Sequence, residues 1–421
     1  MKNTIEKIKS IFKTKEIRDK IIFSLLIIVI YRVLSAIPVS GIPAEAIKEL
    51  FAGTGFGDIL STVSGGVLET ASIVAIGLTP YINASIIFQL LGTVIPKLEE
   101  LGKEGAEGRR KISMYTRLLT IPLAILQSFV IYSTLRGFEL IETLGTLELI
   151  TMSATLTAGA VIMMWFGELL SEDGIGGGSS YLIMLGILSG IPGTLSSNLV
   201  TMDSFQKTVF TIFSLALVIA VIIITQAERQ IKIQYSRRVR TGGALESYLP
   251  IKLTQSGVMP VIFAMSFLSF PQLIGKFIVS REFNPNITAI TERILVLLEN
   301  PYFFNGLSFV LIVAFSFFYL TVVFKTDDLA ENLQKQGAFI QGIRPGEKTA
   351  QYLRRVSFRL TAVGGVFLAL ISILPDIFVR TGLISAAVFS GTGLLIVVGV
   401  ILDMKREAES MLTVRSYDKY L

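Results

Sequence analysis

Residues 77–90 read GLTPYINASIIFQL. The stretch is uncharged, yet Gly77, Pro80, Asn83 and Gln89 interrupt its apolar run. In lipid, Gly and Pro disturb backbone hydrogen bonds that hydrocarbon does not replace, so such a helix needs protein or water beside it. Leu78, Ile82 and Ile86 recur at four-residue spacing, which places three branched aliphatics on one helix face. The expectation is a proline-kinked membrane helix whose aliphatic stripe fits two roles: ordinary packing, or the lining of a conduit.

The rest of the chain agrees with a membrane setting. Of 421 residues, 52% are hydrophobic and 17% charged, whereas a soluble domain carries about a quarter charged residues. Uncharged runs of roughly 20 residues recur, the length a helix needs to cross a bilayer. They are continuous rather than alternating, which excludes a β-barrel. Cysteine and histidine are both absent, which excludes disulfides, thiolate chemistry, Cys/His zinc sites and the Ser-His and Cys-His nucleophile pairs. GKEGAEGRRK at 102–111 has glycines but lacks the Lys-Ser/Thr ending of a phosphate loop. No cofactor, metal or catalytic residue is expected, nor direct DNA binding.

Ten spans are predicted, at about 21–38, 71–96, 113–135, 149–168, 180–199, 208–227, 255–277, 303–324, 358–376 and 383–402. Residues 1–20 read as a basic amphipathic cytoplasmic segment rather than a cleavable signal, and 403–421 as a cytoplasmic tail. Lys and Arg crowd the N-terminus and the loops after spans two, six and eight, with the two longest loops at about 228–254 and 325–357. The positive-inside rule then places both termini and these loops in the cytoplasm. Two halves of five spans, 21–199 and 200–402, would be related by inversion in the membrane plane, because an odd span number flips the second copy. The predicted fold is an all-α polytopic membrane protein, with ten transmembrane helices in two inverted five-helix halves around a central pore.

The long loops hold more turn chemistry than orientation requires. Gly342, Pro345 and Gly346 around Arg344 predict a tight turn that presents the guanidinium at its tip. Such a tip suits docking of an acidic or phosphate-rich partner. The basic loops suit equally a purely topological role against anionic lipid. Arg32 lies inside span one, without an acidic partner in the opening spans, so snorkelling or pairing to a carbonyl is expected.

Five blocks in order, GLTPYINASIIFQLL, GIGGGSS, PIKLTQSGVMPVIFA, GAFIQGIRPGEKTAQYL and SGTGLLIVVGVILD, resemble the SecY family, the pore subunit of the bacterial preprotein translocase. The resemblance covers essentially the whole chain. It implies a hydrophobic pore ring at Leu78, Ile82, Ile183, Ile187, Ile262 and Ile396, where branched aliphatics make a dewetted, deformable collar. It implies a plug at about 57–66, including Gly57, Ile59, Leu60, Val63, Gly65 and Gly66, and a lateral gate at Ile86, Gln89, Ser266 and Phe270. Docking of a motor or ribosome would fall on Arg237, Arg238, Arg240, Arg344, Pro345, Gly346 and Glu347. The implied partners are SecE-like and SecG-like small subunits, a SecA-like ATPase, the ribosome and signal-bearing preproteins, at the bacterial plasma membrane.

Thr79 stands where methionine is common in the family, Gly177 where asparagine is expected, and Val63 where some relatives carry a plug phenylalanine. TGGALESYLPIK before span seven lacks the usual Gln-Ser-Thr-His run. Two other functional classes make different demands. A secondary solute transporter calls for ionisable groups at the midplane, and an intramembrane enzyme for paired Asp, His-metal or Ser-Lys groups. Arg32 alone meets neither requirement.

Overall fold

The computed structural model describes residues 15–40, 72–137, 141, 143–235, 247–255, 257–281, 285–382 and 390–418. Ten helices overlie the ten predicted spans: α1 (Lys15–Ser35), α2 (Thr79–Val94), α4 (Ala106–Gly137), α5 (Thr146–Asp173), α6 (Gly178–Thr201), α7 (Ser204–Gln226), α8 (Met259–Arg281), α10 (Pro301–Val323), α12 (Glu347–Arg380) and α13 (Gly391–Asp418). Among the described residues, three shorter helices lie between them: α3 (Pro96–Lys103), α9 (Pro285–Glu299) and α11 (Thr326–Lys335). Among the described residues, six helices are long and apolar enough on their own to cross a membrane, or seven if the bent α2–α3 pair counts as one span. The helices α1 and α13 carry charge within their length, such as Lys20 and Arg32 in the first and Asp403 and Lys405 in the second.

The expected proline kink of span two is corrected. Ser72 bridges to Pro38, residues 73–78 form turns with Gly77 at φ 60, and Pro80 falls in the first turn of α2. There a missing N–H costs nothing, because the first helical amides have no intrahelical acceptor. The sharp bend comes later, 102° between α2 and α3, where Ile95 is extended and Pro96 opens the next helix.

The chain forms two compact units. The first comprises Met1–Thr201, Met265–Phe304 and Val388–Leu421; the second comprises Met202–Ala264 and Asn305–Ala387. In the first, α4 packs on α2 and α5, and α6 packs on α5 and α13. Its buried core gathers Ile76, Ala124, Val130, Leu135, Met152, Leu156 and Ala160. The close approach of residue 73 to α5 requires glycine at 159, where a Cβ would stand 1.8 Å from the Ile73 carbonyl oxygen.

The second unit contains what the all-helical expectation omitted. Strand β1 (Glu228–Tyr235) pairs antiparallel with β2 (Ser247–Lys252) on one edge and β3 (Ala338–Ile340) on the other. The two long loops, whose strands β2 and β3 are separated by more than 80 residues of chain, therefore close into one sheet. Ile231 and Ile233 alternate inward along β1 and pack with Ile251, Ile340, Leu333, Leu353 and Val356. That shared core explains the pairing: neither loop alone has enough apolar surface to fold, since a single two-stranded hairpin is marginal in water.

Candidate functional site

Local structure first brings the stripe on α2 into place. The Ile82 amide donates to the Leu78 carbonyl at 2.9 Å, so the helix is wound from its first turn. Leu78 and Ile82 are both buried. A Cβ on Gly167 of α5 would lie 3.7 Å from Leu78 Cδ2, which puts Leu78 against a glycine gap in the neighbouring helix. On α6, Ile183 is buried and Ile187 half-buried, and Ile187 reaches Gly393 of α13, where a Cβ would meet its Cγ2 at 3.5 Å. Ile396, one turn further along α13, is buried. Five of the six expected ring residues thus lie in the first unit, on helices that pack in sequence α2–α5–α6–α13. Ile262 is buried near the start of α8 in the second unit.

Polar atoms accompany the stripe. Thr79 Oγ1 and Asn83 Oδ1 are buried without a hydrogen-bond partner. Unsatisfied buried polar atoms are uncommon in native folds and mark positions worth explaining functionally. Of the expected gate residues, Ile86 is buried on α2, and the Gln89 side chain donates to Ser85 Oγ at 3.2 Å. Ser266 on α8 is fully buried with its hydroxyl unpaired, and Phe270 one turn on is half-buried.

The turn around Arg344 has the expected form. Gly342 and Gly346 both take positive φ, at 81° and 93°, and Arg344 and Pro345 between them are exposed. The Thr349 hydroxyl donates to the Arg344 carbonyl at 2.9 Å and pins the turn to α12. Gly346 caps that helix and Glu347 occupies its first turn, where a carboxylate faces the positive end of the helix dipole. The plug residues Gly57, Ile59, Leu60, Val63, Gly65 and Gly66 lie outside the described residues, as do Arg237, Arg238 and Arg240.

Arg32 is held by a group the sequence did not point to: its Nη1 donates to Ser189 Oγ on α6 at 2.7 Å. A hydroxyl partner 157 residues away in the sequence leaves no local signal. The Gly-rich GIGGGSS turn between α5 and α6 is likewise tied by distant residues. Lys20 Nζ donates to the Gly174 carbonyl at 3.2 Å, and the Gly176 amide donates to Glu407 Oε2 at 2.6 Å. Gly178 has no room for a side chain, because its Cβ would stand 2.0 Å from the Gly167 carbonyl oxygen. Gly177 differs: a Cβ there would meet only Ser180 Oγ, at 3.9 Å, so packing tolerates the asparagine expected at that position. Among the described residues no three acidic side chains cluster to hold a metal ion.

Comparison with known proteins gives the same answer along the whole chain. The SecY family model matches residues 72–405. The chain is 38% identical over 435 residues to a protein translocase subunit SecY of Mycobacterium bovis, covering 98% of each chain. Its identity to the protein translocase subunit SecY of Bacillus subtilis is also 38%, over 98% of this chain and 99% of that one. Among solved structures it resembles "The structure of a protein conducting channel", with a TM-score of 0.70 at 17% identity over 93% of this chain and 92% of that one. It also resembles "Sec61 in the Canine ribosome-channel complex from the endoplasmic reticulum", with a TM-score of 0.66 at 16% identity and the same coverage.

Proposed function

Because this chain belongs to the SecY family, we infer that it is the protein-conducting channel of a preprotein translocase. It is a multi-pass protein of the plasma membrane. The observation that carries the reading is identity to translocase subunits over 98% of the chain. The solute-transporter alternative finds no support in these relatives.

The mechanism assigned to the site is a collar and a gate. Leu78, Ile82, Ile183, Ile187, Ile262 and Ile396 form a collar that water wets poorly, so it closes around a passing chain and resists ions. Ile86, Gln89, Ser266 and Phe270 flank a seam through which an apolar signal helix leaves for lipid, driven by about 0.8 kcal/mol per buried methylene. Residues 57–66 act as the plug. The buried, unpaired hydroxyl of Ser266 supports the seam, since a polar atom without a partner weakens packing where helices must part.

Energy comes from partners. The exposed Arg344 turn is the docking point for a SecA-like ATPase or a ribosome, with Arg237, Arg238 and Arg240 adding positive charge. The described kinship to a channel solved in complex with a ribosome supports the second partner. SecE-like and SecG-like subunits complete the assembly, and both termini face the cytoplasm, as the Lys and Arg distribution favours. The test is reconstitution in vesicles with a small subunit, the ATPase, ATP and a signal-bearing preprotein. ATP-dependent protection of the preprotein from protease is expected; ATP-independent uptake of a small solute with no protection would overturn the reading.

A further inference from the structure

Helix α9 takes no part in the collar, the gate or the docking turn. Its 15 residues make about 22 Å of helix, short of the roughly 30 Å hydrocarbon core, so it is not a span. It joins the end of α8 to the start of α10, so it lies at a membrane boundary, at the end of α8 remote from β2. The seat is tight: a Cβ on Gly275 of α8 would lie 2.9 Å from Leu295 Cδ2 and 3.2 Å from Thr291 Cγ2. Leu295 and Leu298 face the protein and are buried.

A second apolar face is left over. At about 100° per residue, Ile287, Ile290, Ile294 and Leu297 fall within a stripe about 80° wide, beside the buried leucines. These four side chains are 49%, 60%, 46% and 53% exposed. Glu292 and Glu299 lie on the opposite side and are exposed, while Arg293 borders the stripe, where a long basic side chain reaches back to water. Immediately after the helix, Tyr302 and Phe303 at the start of α10 are 81% and 45% exposed. Exposed aromatic rings at a span terminus mark the headgroup level of a bilayer.

We propose that α9 is a membrane-surface helix, with its Ile287–Ile290–Ile294–Leu297 stripe set among the headgroups and upper acyl chains of the adjoining leaflet. The occupant of this face is lipid: the stripe is continuous with the ends of two spans, its charges point away, and the aromatic residues beside it fix its depth. The proposal rests on the chain's being a membrane protein and not on its being a channel, so the two are tested apart.

Trp165 is the single tryptophan of the chain, so Trp165→Phe provides a silent background. On that background, Ile290→Trp and Leu297→Trp report the stripe and Glu292→Trp the opposite face, in full chain reconstituted into phosphatidylethanolamine–phosphatidylglycerol vesicles. Each variant must first remain monodisperse in detergent, and the two stripe positions serve as independent reporters. Lipids brominated near the headgroup end of the acyl chain should quench both stripe reporters about threefold more than the Glu292→Trp reporter, with aqueous iodide giving the reverse order. Iodide quenching of the stripe equal to that at Glu292→Trp would place it in water and overturn the proposal. Shielding from both quenchers would mean that a protein segment or a second copy covers it. Strongest quenching from bromines near the chain methyl end would mean a span-like depth. Either result also overturns it.

Discussion

Replacing Ile82 by asparagine tests the collar most directly. Ile82 is 7% exposed, and Leu78, Ile183 and Ile396 are 3%, 5% and 3% exposed, so the new amide replaces apolar volume in a closed setting. Loss of the buried aliphatic group costs the closed form about 1.5–3 kcal/mol, and an amide without partners costs a further 1–3 kcal/mol or so. Thr79 Oγ1, one turn back on the same face and without a partner, offers one acceptor and offsets about 1 kcal/mol. The net is about 3 kcal/mol against the closed collar, or about 100-fold toward a hydrated one, since 1.4 kcal/mol is roughly a factor of ten. Ile82→Val removes one methylene at about 0.5–1.5 kcal/mol and should shift the balance about tenfold or less. The assay is ion flux across sealed vesicles under an imposed potential, without motor or substrate, normalised to inserted protein. Flux through Ile82→Asn within about twofold of the unaltered protein would refute the assignment of Ile82 to a dewetted constriction.

Arg344→Glu reverses the charge of an exposed turn tip, so stability should change by no more than about 0.5 kcal/mol while motor-driven protease protection falls about tenfold or more; undiminished transport would remove Arg344 from docking. Leu353→Ala empties the core shared by the sheet and α12, and should destabilise that module by about 2–5 kcal/mol. Proteolysis between β1 and β2 is the readout, and unchanged susceptibility would mean the two loops do not depend on one core. Gly364→Ala sets a Cβ 2.5 Å from the Leu253 carbonyl oxygen, at a cost of about 1–3 kcal/mol. Amide exchange over 249–254 should quicken, whereas Gly306→Ala, which meets nothing within 4 Å, should leave it as it was.

Span positions were legible in the sequence because a bilayer demands long uncharged runs, and a helix overlies each run, though α2 starts 8 residues late, α12 starts 11 early and α13 runs 16 past the predicted end. The Arg344 turn was legible for a different reason: two glycines with a proline between them leave few backbone solutions, and both glycines take positive φ. Pro80 was misplaced because a proline has the same composition signal in a helix interior as in its first turn. The sheet was hidden because Ile231 and Ile233 make only one short alternation amid charged residues, and β3 reaches β1 from 100 residues further along the chain. The ties at Ser189 and Glu407 are also long-range, 157 and 231 residues from their partners, where local pattern carries nothing. Helix α9 went unread for the opposite reason: Glu292 and Arg293 break its apolar run, and its amphipathic period is too short to resemble a span.

Within the second unit, the contacts connect the Arg344 turn to the start of α8. Helix α12 is 34 residues long and begins at the Arg344 turn. Its first turns carry Leu353 and Val356, which fix it to the sheet. The next turn carries Ser357, whose hydroxyl accepts from Gln255 at 3.4 Å, and Phe358, whose ring lies 4.8 Å from that of Phe317. Two turns beyond, Gly364 lets the Leu253 backbone rest on the helix, and Gly365 leaves room for the Ser316 side chain of α10. Glycine at 364 brings backbone to backbone with no flexible side chain between, and close-packed contacts transmit strain. The segment resting on Gly364 leads within nine residues to Ile262. On the proposed assignments, a partner bearing on the Arg344 turn would reach the segment that leads to Ile262 through these packed contacts, without itself touching the collar. What the sheet does structurally is narrower: Ile231, Ile233, Ile251 and Ile340 share one core with Leu353 and Val356, so the start of α12 and the strand leading to α8 are held by the same side chains.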